Sequence, residues 1–138
     1  MLTVEIADTS VWAHQRELPE FGLRFIAGLV GVTDMIVMEL LYSARDAADY
    51  AQIEADLGGC SLYRVEPQDW DEGKRVWREL LRRGGGPLHR QVGHQDLLTA
   101  AVAARHGLTV VHYNADFNLI ASVTGQAVRW AAPQGSLV

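Results

Sequence analysis

Residues 2–7, LTVEIA, alternate apolar and polar positions, the two-residue period of a strand that turns one face to a core. From 19 to 29 apolar residues recur instead at helical spacing, with Gly28 and Gly31 marking the exit. Thr33 is placed to cap a second helix through 34–45, and a further helical stretch over 46–57 stops at Gly58 and Gly59. Residues 60–65, CSLYRV, read as a strand. Pro67 opens a helix whose Trp70, Val76, Trp77, Leu80 and Leu81 lead to the triple glycine 84–86. A helix over 95–105 ends at Gly107, and a strand over 108–113, a short helix over 116–125 and a last strand over 127–130 follow. Strands alternating with helices in this order predict an α/β domain, a central parallel β-sheet flanked by helices on both faces. The longest loop, 84–93, is expected to act as a flexible substrate-side flap.

At 138 residues and 49% hydrophobic content the chain, 1–138, is read as one domain with one core. No apolar run approaches the roughly 18 residues of a membrane span, and the start lacks the pattern of a signal peptide, so a cytoplasmic protein with no membrane partner is expected. The single cysteine, Cys60, excludes an internal disulfide and a thiolate zinc cluster, and is expected to be a buried structural thiol. A formal net charge of −5 argues against a simple nucleic-acid coat. Within 74–90, however, Lys74, Arg75, Arg78, Arg82, Arg83 and Arg90 face Glu79 alone. That ridge is either a solvated helix face or a phosphate-binding surface.

Most acidic residues, among them Asp46, Asp49, Glu54, Asp69, Asp71 and Glu72, fall where helices are expected to face water. Four do not. Asp8 ends a core strand, Glu39 is the one charge in MIVMELLY, Asp96 is the one charge in QVGHQDLLTAAVAA, and Asp116 follows the strand TVVHY. Burying an unpaired carboxylate costs several kcal/mol, so Glu39 must be protonated, paired or bound to a cation. Arg24 and Arg45 are its conceivable partners for an ordinary ion pair.

In an open parallel sheet, ligands collect beyond the carboxyl ends of the strands where strand order reverses. Asp8 and Asp116 both follow strands at that end, Asp96 enters from a helix start, and Glu39 can reach in from the helix after the first strand. Four converging carboxylates repel one another. A divalent cation removes the repulsion, and an all-oxygen set selects magnesium or manganese over zinc. Such an ion suits phosphodiester hydrolysis, with the polymer lying along 74–90 and its phosphates met by Arg78, Arg82, Arg83 and Arg90.

The stretches IADTSVW, MELLYSAR and HQDLLTAAVAARHGLTVVHYNADF together resemble, in order and spacing, the motifs of PIN-domain ribonucleases, in particular the VapC toxins of bacterial type II toxin-antitoxin pairs. The resemblance spans almost the whole chain. It implies that Asp8, Glu39, Asp96 and Asp116 form an acidic quartet binding one or two magnesium or manganese ions, with Ser10 or Thr9 supporting metal-bound water. It also implies cleavage of RNA, commonly transfer or ribosomal RNA, a homodimer, higher-order assembly with an antitoxin, and neutralisation by that small VapB-like partner. The chain departs from the pattern at His112 and Asn114, where many relatives carry a hydroxyl residue and an acid. Asp116 is then the single carboxylate of its segment, and a second metal would be held weakly.

His112 and Asn114 are read as supports for metal-bound water or phosphate, beside the plainer reading of His112 as a strand-end histidine bonded to backbone. His94 carries the same two readings. The four tryptophans are expected in the core or an interface, with Trp12 the one nearest the proposed pocket. Two other folds place an aspartate after a first strand. Haloacid-dehalogenase-like phosphatases need a second aspartate where this chain has Ser10, and receiver domains need a lysine that Lys74 cannot supply. A non-catalytic RNA-binding or protein-interaction module on the same fold is the rival from another class, and it would not need all four carboxylates.

Overall fold

The computed structural model describes residues 3–84 and 92–137. Five short strands, β1 (Glu5–Ala7), β2 (Val30–Thr33), β3 (Ser61–Tyr63), β4 (Val110–His112) and β5 (Val128–Trp130), form one sheet in the order β3-β2-β1-β4-β5. Every neighbouring pair is parallel. Between them run α1 (Thr9–Ala13), α2 (Pro19–Ile26), α3 (Asp34–Tyr42), α4 (Ala47–Leu57), α5 (Pro67–Arg82), α6 (His94–Arg105) and α7 (Asp116–Thr124), with a 3-10 turn at Gln15–Glu17. The α/β parallel-sheet expectation holds.

β1 sits at the centre, and its Ile6 and Ala7 are enclosed with Val30 and Val32 of β2 and Val110 and Val111 of β4. α6 is buried along almost its whole length, from Leu97 to Ala103. Its alanines let α5 and α7 pack closely around it. Thr33 caps α3 as expected, its hydroxyl accepting from the Ile36 N–H, and Asp46 caps α4 through the Asp49 N–H. α2 ends at Ile26 and α3 at Tyr42, earlier than the apolar spacing predicts.

Two elements escaped the sequence reading. In sequence, β2 reads as the glycine-marked exit of a helix. Buried on both faces, it shows no alternation to betray it. Gly31 belongs there for a packing reason, since a Cβ at that position would stand 3.0 Å from both the Tyr63 ring and Val4. The other element is α1, five residues long and too short to show helical periodicity.

Asp69 also corrects an expectation. It is 1% exposed, caps the Glu66 N–H at 2.8 Å and receives two bonds of 2.9 Å from Arg105, which tie the start of α5 to the end of α6. Arg105 holds its carboxyl below the usual range against the opposing effect of burial. Cys60 is half-buried, and burial, with a smaller push from Asp56, raises its thiol to about 11, so it stays protonated at neutral pH. The expected flap falls almost wholly outside the described residues.

Candidate active site

The chain runs from β1 outward through β2 to β3, then returns to place β4 and β5 on the other side of β1. Strand order therefore reverses between β1 and β4, and a crevice opens above their carboxyl ends. Asp8 leaves β1 at that edge. It is 5% exposed and caps α1, with Oδ2 accepting from Ser10 N at 3.1 Å and from Ser10 Oγ at 2.7 Å. Ser10 Oγ in turn accepts from Tyr113 N at 2.9 Å, so one hydroxyl joins the segment after β1 to the segment after β4. Both bonds to Asp8 fall on Oδ2, which leaves Oδ1 without a protein donor among the described residues.

Glu39 reaches the same place from α3. Neither arginine candidate meets it, because Arg24 pairs with Glu5 and Arg45 with Asp49. Its partner is Thr9, whose Oγ1 donates to Glu39 Oε2 at 3.1 Å. Burial raises the Glu39 carboxyl, the Thr9 bond opposes the rise, and the charge of Asp8 adds to it. Asp96, in the first turn of α6, is pushed up to about 7, first by burial and then by Asp8, Asp116 and Glu39. Asp116 opens α7 and is also raised by burial, with Asn114 opposing. The like-charge effects on Asp96 show that all four carboxylates share one electrostatic site.

A cleft of about 590 Å³ opens over this site, lined by Asp8, Thr9, Ser10, Glu39, Asp96 and Asn114 and continuing over Leu40 and Ile53. Asp116, whose backbone N–H donates to Asn114 Oδ1, does not line it. Gln15, Ser43, Asp56 and Gln95 line the cleft too, and nothing in their local sequence marks them. Asp8, Asp96 and Asp116 stand at helix starts, where exposed N–H groups favour negative charge.

Among the described residues, no three carboxylate, imidazole or thiolate side chains stand close enough to enclose a metal ion by themselves. What fits the open, oxygen-only cleft is an ion held directly by one or two carboxylates that keeps several of its own waters, the habit of magnesium. Asp8 and Asp96 are the aspartates lining the cleft, and Asp116 is near enough to raise Asp96.

The structure moves two expected helpers elsewhere and gives two others different bonds. His112 is wholly enclosed, stacked on Phe117 with ring centres 5.3 Å apart and tilted against Trp130 at 4.9 Å. Its Nδ1 accepts from Asn114 N at 3.1 Å, and burial lowers its pKa to about 4. It is a neutral interior histidine and reaches neither water nor phosphate in the cleft. His94 lines a separate recess with Trp70, Lys74 and Trp77. Thr9 and Ser10 spend their hydroxyl protons on carboxylates. Trp12 borders the cleft but is anchored in the core, donating to Ala7 O at 3.2 Å and packing edge-on to Phe21.

The basic ridge is also altered. Arg75 is bound bidentately by Glu72, Arg82 by Glu79, and Arg83 reaches Glu79 and the Ser122 carbonyl. Lys74 pairs with Asp71. Arg78 has no carboxylate partner among the described residues, and Arg90 lies outside them. None of Arg78, Arg82 and Arg83 lines the cleft.

The PIN domain family model matches residues 6–123, an interval that contains all four carboxylates. The chain belongs to the PIN-domain family. Among PIN-domain relatives, it is 36% identical to ribonuclease VapC18 of Mycobacterium tuberculosis over 134 residues, covering 94% of this chain and 96% of that one. Ribonuclease VapC51 of the same organism is 35% identical over 113 residues, covering 80% and 78%. Of solved PIN-domain structures, the toxin-antitoxin complex VapBC-5 of M. tuberculosis is similar with a TM-score of 0.61 at 27% identity, over 93% of this chain and 97% of that one. The DNA-bound VapBC of Salmonella typhimurium matches the PIN fold with a TM-score of 0.72 at 23% identity, over 94% and 99%. Among the described residues of this PIN domain, no helix is long and apolar enough to cross a membrane.

Proposed function

We propose that this chain is a metal-dependent endoribonuclease, the toxin of a type II toxin-antitoxin pair, which hydrolyses phosphodiester bonds of transfer or ribosomal RNA in the cytoplasm. The observation that carries the reading is the gathering of Asp8, Glu39, Asp96 and Asp116 at the switch point, close enough that Asp96 is pushed up to about 7. Carboxylates assembled at a shared cost in repulsion are explained by a cation that removes it.

Asp8 and Asp96, which line the cleft, are the residues that would hold the ion directly, with Asp116 adding its charge beside them, and the hardness of their oxygens selects magnesium or manganese. A divalent cation there supplies charge stabilisation at the phosphate and a water of lowered pKa. Glu39, whose Oε2 accepts from Thr9, is the cleft carboxylate placed to take a proton. Ser10 fixes the rotamer of Asp8. Arg78 is the α5 cation available to a phosphate, while Arg82 and Arg83 reach one by exchanging Glu79, an exposed pairing that costs little to open. VapB-like antitoxin and a second copy of the chain are the expected protein partners, in line with the toxin-antitoxin complexes among its structural neighbours.

The test is cleavage of total RNA by purified, antitoxin-free protein with magnesium, with manganese and with EDTA, beside the Asp96→Asn variant. Cleavage that needs the cation and vanishes in Asp96→Asn is the expected result. RNA binding with no cleavage under any condition would favour the non-catalytic module.

A further inference from the structure

Asn114 makes two side-chain bonds that a carboxylate could not make together, and its backbone N–H makes a third. Its Nδ2 donates to Asp96 Oδ2 at 3.3 Å, its Oδ1 accepts from Asp116 N at 3.0 Å, and its own backbone N–H donates to His112 Nδ1 at 3.1 Å. The orientation of the amide is fixed by chemistry, since only the NH₂ can face a carboxylate and only the oxygen can face an N–H. An ionised carboxylate has no proton to donate to Asp96. The same logic fixes the histidine, because an Nδ1 that accepts a backbone N–H requires the ring proton on Nε2.

Among the described residues that proton has no partner. His112 Nε2 is buried without a hydrogen bond, enclosed with Phe117 and Trp130. An interior that leaves one ring nitrogen unsatisfied gains nothing polar from the histidine except the acceptor at Nδ1. A ring clamped by two aromatic neighbours is in turn a rigid place from which to hold Asn114.

We propose that Asn114 is a positioning residue that orients Asp96 and the start of α7 toward the cation, and that His112 is the buried strut holding Asn114. The inference rests on the reading of Asp96 as a cation-holding carboxylate with the charge of Asp116 beside it. It assigns to His112 a part in the chemistry although it touches neither substrate nor ion, and it gives the amide at 114 a role that adds no charge to the site. Outer partners of metal-holding groups commonly change affinity or activity by 10- to 100-fold when removed.

The experiment separates positioning from packing by pairing substitutions with opposite effects on each. His112→Phe keeps an aromatic ring in the aromatic enclosure but removes the acceptor. His112→Asn loses the ring but keeps an oxygen where Nδ1 stood. Asn114→Ala removes both side-chain bonds from a partly exposed position. Manganese affinity of EDTA-stripped protein by calorimetry, RNA cleavage, and the thermal midpoint in EDTA are measured for each. The expected pattern is manganese affinity lowered about tenfold or more in Asn114→Ala and His112→Phe with nearly unchanged midpoints, against a lowered midpoint but retained affinity in His112→Asn. Parent-like affinity and cleavage in Asn114→Ala, or losses that track the midpoint across the series, would overturn the inference. Asp96→Asn serves as the control. If it still binds manganese and cleaves RNA, the site reading itself has failed, whereas an inert Asp96→Asn beside a normal Asn114→Ala removes only the positioning role.

Discussion

Thr9 Oγ1 and Glu39 Oε2 lie 3.1 Å apart, so the first turn of α1 supports a carboxylate thirty positions further along the chain. The bond holds down an acid that burial and Asp8 push up. Thr9→Val removes it while keeping the shape of the side chain. The Glu39 carboxyl then rises further, and the acid limb of the pH–rate profile moves to higher pH, with cleavage at neutral pH reduced about tenfold and stability lowered by about 1 kcal/mol. A profile that superimposes on that of the parent would remove Glu39 from the chemistry.

Asp8 has two duties that one pair of substitutions separates. As the cap of α1 it accepts the Ser10 N–H, which an asparagine can also do. Asp8→Asn is expected to unfold at or above the parent's temperature in EDTA, because one of four repelling charges is gone, while losing cleavage. Asp8→Ala loses cleavage as well and about 1 kcal/mol of stability through the missing cap. Chemical denaturation beside the RNA assay reads both.

The pH dependence of stability follows from the direction of the Asp96 shift. Its carboxyl rises from 3.8 to about 7 on folding, so through that window the folded protein keeps a proton that the unfolded chain has released. The stabilisation is complete below about 4 and is lost as pH rises through about 7. Glu39 and Asp116 shift in the same direction. The metal-free protein is therefore expected to melt at falling temperature from pH 4.5 to 8, by an amount bounded at roughly 4 kcal/mol for Asp96. Scanning calorimetry in EDTA should show the slope, and Asp96→Asn or saturating magnesium should flatten it.

RNA affinity should respond to the pairing on α5 more than to the number of its arginines. Arg78→Ala is expected to weaken binding and to reduce the salt slope by about one counterion. Glu79→Gln releases Arg82 and Arg83 and should strengthen binding. Glu79 is held down to about 2, chiefly by its bond from Arg82, so it is a full charge at any working pH and the substitution removes it completely. Filter binding across salt concentrations with the Asp96→Asn protein measures both, and equal slopes for all three would place the polymer elsewhere.

The four carboxylates stood out because Glu39 and Asp96 interrupt apolar runs while Asp8 and Asp116 follow core strands, signals visible one residue at a time. The cap at Thr33 and the parallel α/β order were legible for similar local reasons. β2 was not, since a strand buried on both faces carries no period and its glycine resembles a stop. Asp69 reads as a surface acid in sequence because its partner, Arg105, lies 36 residues away. The ridge on α5 looked more basic than it is because counting from Lys74 omitted Asp71 and Glu72 in the preceding turn, and these neutralise Lys74 and Arg75. Side-chain roles were least legible. The hydroxyls of Thr9 and Ser10 were expected to serve a metal-bound water, and their acceptors proved to be the carboxylates themselves.

The pairing of β1 with β4 brings Asp8 and Glu39, from the first third of the chain, beside Asp96 and Asp116, from its last third. During synthesis the early half leaves the ribosome carrying only half of the acids, with no partner strand on one side of β1. The four carboxylates therefore meet only once β4 has paired with β1.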